Sequence, residues 1–186
     1  MSLARSLGRS IGRSVMRDLS TQYRRADTYR RLQQEAASRP GSVRVQADGW
    51  DVWMSPIEHE LYEAIRKEGL APVPQLCVEG YYVDFAFPDV SLAVEADGAA
   101  YHAGERRQRD AKRDWVLRRA GWTVKRFRGT TIHQKAGNCA YVVRREVDGR
   151  RAEIALRIRQ EELRRQARRE ALLRPLRRIA RFLRLG

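Results

Sequence analysis

Apolar residues fall at every fourth position at the start of the chain, Leu3, Leu7, Ile11, Val15 and Leu19, while Arg5, Arg9, Arg13 and Arg17 keep the same step two residues out of phase. On a helix that spacing lays an apolar stripe beside an arginine stripe. The helical pattern continues through Tyr29 to Ala37, and SRPGS at 38–42 ends it as a linker. Next, SPIEHELYEAIRKEG predicts a helix with Ser55 as N-cap, Pro56 at its first position and Glu58 completing a capping box. Ile57, Leu61, Ala64 and Ile65 form its buried stripe, and Gly69 stops it. Three β-rich runs follow, PQLCVE, YYVDFAF and VSLAVEAD, broken at Gly80 and at Pro88-Asp89. ERRQRDAKRDWVLRRAG predicts a further helix with Trp115, Val116, Leu117 and Ala120 facing inward, and WTVKRF predicts a closing strand. The order α-β-β-β-α-β implies an α/β fold built on a mixed sheet with helices against it.

From about Arg150 to Leu185 arginine pairs alternate with Ile154, Leu156, Ile158, Leu163, Leu172, Leu173, Ile179 and Leu183, which predicts a second helical arm that Pro175 breaks or kinks. One reading is a solvated helix that packs its apolar face on the core. The other is phosphate contact, because residues 136–186 hold fifteen Arg and no Lys, and Arg grips phosphate oxygens bidentately.

Charge sharpens this division. The chain carries +15 overall, with +6 in residues 1–49, none in 50–135 and +9 in 136–186. A neutral centre with two basic arms predicts an arm and linker at 1–42, a core at 43–149 and an Arg-rich extension at 150–186. Such a balance calls for phosphate-bearing partners, either nucleic acid (DNA or RNA) or anionic lipid headgroups. The first arm has three readings: folding on nucleic acid or on the core, lying on a membrane surface, or acting as an organellar transit segment. Amphipathic arms also offer contact to a second copy or a partner protein.

No apolar run approaches the roughly 20 residues that span a bilayer. Cys77 and Cys139 form no CxxC pair, which excludes a disulfide framework and a four-thiolate zinc site. The expected setting is a reduced bacterial cytoplasm, in association with the nucleoid.

The hairpin around Pro88 and Asp89 carries the chemistry. A turn centred there pairs Asp84 with Ala93 and Tyr82 with Glu95. Tyr82, Asp84, Ala86, Ala93, Glu95 and Asp97 then share one face, while Val83, Phe85, Phe87, Leu92 and Val94 share the other. Three carboxylates on one face repel unless a cation is present, and hard oxygen donors select Mg²⁺, Mn²⁺ or Ca²⁺. The plainer reading pairs these carboxylates with arginines.

From SPIE at 55 to about Ile132 the sequence resembles the small PD-(D/E)XK nucleases related to very-short-patch-repair endonucleases. The resemblance rests on Ser55 to Glu58, Val83 to Pro88, Val94 to Gly98 with His102, Asp110 to Arg113, and Gly121 to Phe127, in that order. It implies a restriction-endonuclease-like fold and phosphodiester hydrolysis with Mg²⁺ (or Mn²⁺) and no small-molecule cofactor. Asp84, Glu95 and Asp97 would hold the metal, His102 would move a proton, and Glu58 would act through a water. Asp97 stands where the general motif has a lysine, so the proton-transfer step is the departure from pattern. Glu58 is also explained by the capping box, Asp97 by the turn at Gly98, and Asp110 with Arg113 by an i, i+3 ion pair.

The expected backbone contacts are Arg106, Arg107, Arg113 and Arg126 beside the core and Arg164, Arg165, Arg168 and Arg169 in the second arm. Trp50 and Trp53 are candidates for base stacking. The expected function is a metal-dependent DNA endonuclease or nickase, and the alternative is a catalytically inactive nuclease fold that binds nucleic acid or assembles with a partner.

Overall fold

The computed structural model describes residues 27–47, 49–98 and 105–183, with side chains left out at 105–109 and 175–183. The first arm up to residue 26, and His102, lie outside the described residues. The elements are α1 (Asp27–Ala37), β1 (Val43–Ala47), β2 (Trp50–Met54), α2 (Pro56–Lys67), β3 (Val73–Val78), β4 (Tyr81–Phe87), β5 (Leu92–Asp97), α3 (Glu105–Arg119), β6 (Thr123–Arg128) and α4 (Gly129–Leu183). The expected α-β-β-β-α-β core is α2 through β6, a mixed α/β architecture consistent with the expected restriction-endonuclease-like fold.

The four-stranded sheet runs β3-β4-β5-β6. Its first three strands are antiparallel neighbours, and β6 joins β5 in parallel after the α3 crossover. Glu79 (φ 49°) and Gly80 (φ 82°) turn β3 into β4, and positive φ at both central residues matches the twist of a tight hairpin. The second hairpin has a longer turn: Pro88–Val90 forms a 3₁₀ turn and Ser91 sits left-handed at φ 50°. That four-residue connection is centred one residue later than expected, which moves the register by two residues, so Ala93 faces Ala86 and not Asp84.

Helices bury both faces of the sheet. On one side Leu61, Tyr62 and Ile65 of α2, Val52 and Met54 of β2, and Ile132, Ala140, Val143 and Val147 of α4 pack on Phe85, Phe87, Leu92 and Val94. On the other, Leu117 of α3 packs on Leu76, Val78, Val83, Ala86 and Ala93. Val83 therefore belongs with Ala86, not with Phe85 as strict alternation predicts. The change of side coincides with Gln75, which lies in β3 at φ 50° between the Pro74↔Phe85 and Leu76↔Val83 pairs. An irregular residue there lets the strand reset its phase at Asp84. Trp115 departs from its expected inward position too, being 55% exposed with the Arg119 guanidinium 5.2 Å above its ring.

The segment before α2, expected as an arm, a linker and an entering loop, builds structure of its own. β1 and β2 pair as a separate antiparallel hairpin, which places Trp50 and Trp53 in a strand. α1 packs against β2 with Tyr29 only 3% exposed. At the other end the helix runs through Pro175, and the interruption lies instead at Lys135 (φ −150°). The chain divides into two compact units, residues 1–147 and 148–186. In the second, Ile154, Leu156, Ile158, Leu163, Leu172 and Leu173 are exposed beside the arginines.

Candidate active site

Asp84 is placed by β4 at the point where the backbone ladder to β5 gives way to a side-chain contact: its Oδ2 accepts from Ala96 N at 2.8 Å. Its carboxyl is pushed up to about 7 from an ordinary 3.8. Burial is the largest cause, followed by the negative charge of Glu58, while the Ala96 bond opposes both and Glu95 adds further repulsion. Glu58 arrives from the first turn of α2. The capping box fixes it there, with Ser55 N donating to Glu58 Oε2 at 2.9 Å and Glu58 N donating to Ser55 Oγ at 3.4 Å. The capping box therefore also sets the position from which the Glu58 charge acts on Asp84.

Glu95 is 6% exposed, and two arginines hold it. Arg113 of α3 donates to Oε1, and Arg126 of β6 donates to Oε2 at 2.9 Å. Arg113 also donates to the Tyr82 carbonyl at 2.7 Å, and Arg126 reaches Asp114 at 2.9 Å. Arg126 in turn holds the Asp114 carboxyl below its usual range, chiefly through that hydrogen bond. Arg113 thus pairs with Glu95 rather than within its own helix, and both guanidiniums expected at a nucleic-acid backbone are directed inward. Asp97 is exposed at the end of β5, beside Gly98. Arg164, Arg165, Arg168 and Arg169 are exposed in the second unit, and the side chains of Arg106 and Arg107 lie outside those described.

Asp84 and Glu58 line a recess of about 170 Å³ that sequence reasoning missed. Its other walls include Leu32, Gln33, Ala36 and Arg39 from α1 and the turn after it, together with Ser55, Gln75 and Tyr82. A chain of amides fixes α1 to this wall. Gln33 donates to Gln75, Trp53 N donates to Gln33 Oε1 at 2.7 Å, and Gln75 Nε2 donates to Trp53 O at 3.0 Å. Nothing in the sequence ties Gln33 or Arg39 to Asp84, since the partners of Gln33 lie tens of residues away and Arg39 meets the recess only through the fold.

Among the described residues no three His, Cys, Asp or Glu side chains converge as a metal cage. Mg²⁺ needs less: one or two carboxylates, completed by waters and substrate phosphates. Two neighbouring oxygen-donor carboxylates fit such an ion, because a cation would relieve the repulsion that the Glu58 charge exerts at Asp84.

Residues 57–147 match the restriction-endonuclease-like family model REase_MTES_1575, which is what that segment is similar to. The match begins inside α2 and ends at the last residue of the first unit. Among solved structures, the catalytic domain of the homing endonuclease I-Bth0305I is similar at 17% identity and a TM-score of 0.39, over 52% of this chain and 94% of that one. No curated protein matches the sequence.

Proposed function

We propose that the protein is a metal-dependent endonuclease or nickase that hydrolyses phosphodiester bonds in DNA. The observation that carries this reading is Asp84, a carboxyl pushed up to about 7 beside Glu58 in the wall of a recess within a nuclease core. Such perturbed acids mark functional sites more often than ordinary strand positions. Asp84 would hold Mg²⁺ (or Mn²⁺) with Glu58, Glu95 or Asp97 as further donors. When bound, the ion supplies Lewis-acid stabilisation of the charge that develops on the phosphate.

The chain's own groups do the rest. The Ala96 amide fixes the orientation of the Asp84 carboxylate, and the Ser55 cap does the same for Glu58. Glu95, clamped by Arg113 and Arg126, sets the end of β5 against α3 and β6. His102 is the proposed proton carrier, since an imidazole changes charge near neutral pH. Arg106 and Arg107, with Arg164, Arg165, Arg168 and Arg169, would hold the nucleic-acid backbone.

A nicking assay on supercoiled plasmid tests this. The expected result is cleavage in Mg²⁺ or Mn²⁺ by the parent and none by Asp84→Ala. Equal inertness of both proteins with retained DNA binding would assign the chain to the non-catalytic binding class instead.

A further inference from the structure

The core has no lysine at position 97, and the two arginines nearest Glu95 are committed to Glu95, the Tyr82 carbonyl and Asp114. The recess itself supplies another candidate. Among the described charged residues that line it, Glu58 and Asp84 are anionic and Arg39 is the cation. We propose that Arg39 is a phosphate-holding residue, which grips a substrate phosphate over Asp84 and Glu58 in place of the missing lysine. The proposal rests on the nuclease reading and adds to it a contribution from outside the segment matched by the family, 57–147.

Three observations support the placement. First, the backbone on either side of Arg39 is pinned: Arg39 N donates to Ala36 O at 3.1 Å, Ser42 N to Arg39 O at 3.2 Å, and Ser42 Oγ to Ala36 O at 2.6 Å. Second, the helix that carries it is fixed to the sheet through Gln33, Gln75 and Trp53, and Tyr29 lies against Tyr82 with ring centroids 5.7 Å apart. Third, Gln75 holds a positive φ of 50° between the pairs that flank Asp84, and backbone strain of this kind persists where surrounding structure enforces it. The Arg39 side chain is exposed on this pinned backbone, and a planar guanidinium there can meet two phosphate oxygens at once. The ordinary alternative is that Arg39 only complements the C-terminal end of α1. That role predicts a change in melting temperature and nothing at the phosphate.

The test uses the full chain as parent, Arg39→Ala and Arg39→Lys, with a fluorescent DNA duplex. Anisotropy titrations in Ca²⁺ across a KCl series measure binding, single-turnover reactions in Mg²⁺ measure cleavage, and thermal melts measure folding. Arg39→Ala is expected to lower the slope of log K against log salt by about 0.9, the value for one lost phosphate contact. Cleavage should fall about 100-fold or more, as for loss of one charge-stabilising donor, with partial recovery in Arg39→Lys and an unchanged melting temperature. A parent slope retained by Arg39→Ala overturns the proposal whatever the cleavage result. If the parent itself never cleaves, the nuclease reading fails, and the slope still decides whether Arg39 holds a phosphate.

Discussion

Asp84 is a residue where folding and chemistry oppose each other. With a folded value of about 7 against an ordinary 3.8, the protonated acid stabilises the folded chain. That contribution is complete below pH 4 and is lost as pH rises through 7. Asp84→Asn keeps an acceptor for Ala96 N and carries no charge. It is therefore expected to melt higher than the parent at pH 8 and alike near pH 4 while losing cleavage; a variant that melts lower at pH 8 would refute the cause assigned to the shift. Glu95 should behave oppositely. Glu95→Ala strands two arginines beside the core and is expected to cost about 3 kcal/mol in urea unfolding, the scale of a buried pair broken from one side. Asp84 could be read directly, as a lone acid in YYVDFAF, and Glu58 as a capping acid. The clamp on Glu95 could not, because Arg113 and Arg126 come from 18 and 31 residues further on and only the folded sheet aligns them.

Among the elements, α2 through β6 follow from the sequence because period, cap and turn all agree there. The β1–β2 hairpin is equally legible: VRVQA and WDVWM flank Asp48-Gly49, a strong two-residue hairpin signal. The β4–β5 register failed for a reason of geometry. Pro88 opens a 3₁₀ turn that runs on to the left-handed Ser91, so the connection is centred one residue beyond Pro88-Asp89, and composition alone does not set where a turn is centred. A shift of two residues leaves the faces of β5 unchanged, but Val83 does not keep its side, because the phase resets opposite Gln75. Turn chemistry also gives a test at this scale. Gly80→Ala forces a β-carbon into φ 82° and is expected to lower stability by about 1 kcal/mol, measured by chemical unfolding, without changing the cleavage rate per folded molecule.

For the whole molecule, the net charge of +15 resides outside the neutral centre, so affinity and folding should separate. Replacing Arg164, Arg165, Arg168 and Arg169 together by alanine is expected to reduce the salt slope of DNA binding by up to about 3.6. The melting temperature of the first unit should stay unchanged, because those residues are exposed in the second. A large fall in melting temperature with an unchanged slope would show that the arginines serve structure instead. Within the first unit the pairs Arg113–Glu95, Glu95–Arg126 and Arg126–Asp114 link α3, β5 and β6, and Arg113 extends the link to β4. Positions 95, 113, 114 and 126 consequently form one inheritance group: a substitution at any of them is tolerated only with a matched change elsewhere in the set, whereas the outer surface of α3 around Trp115 is free to drift. A comparison of related genes should therefore reveal correlated exchange at these four sites against a variable background on the same helix.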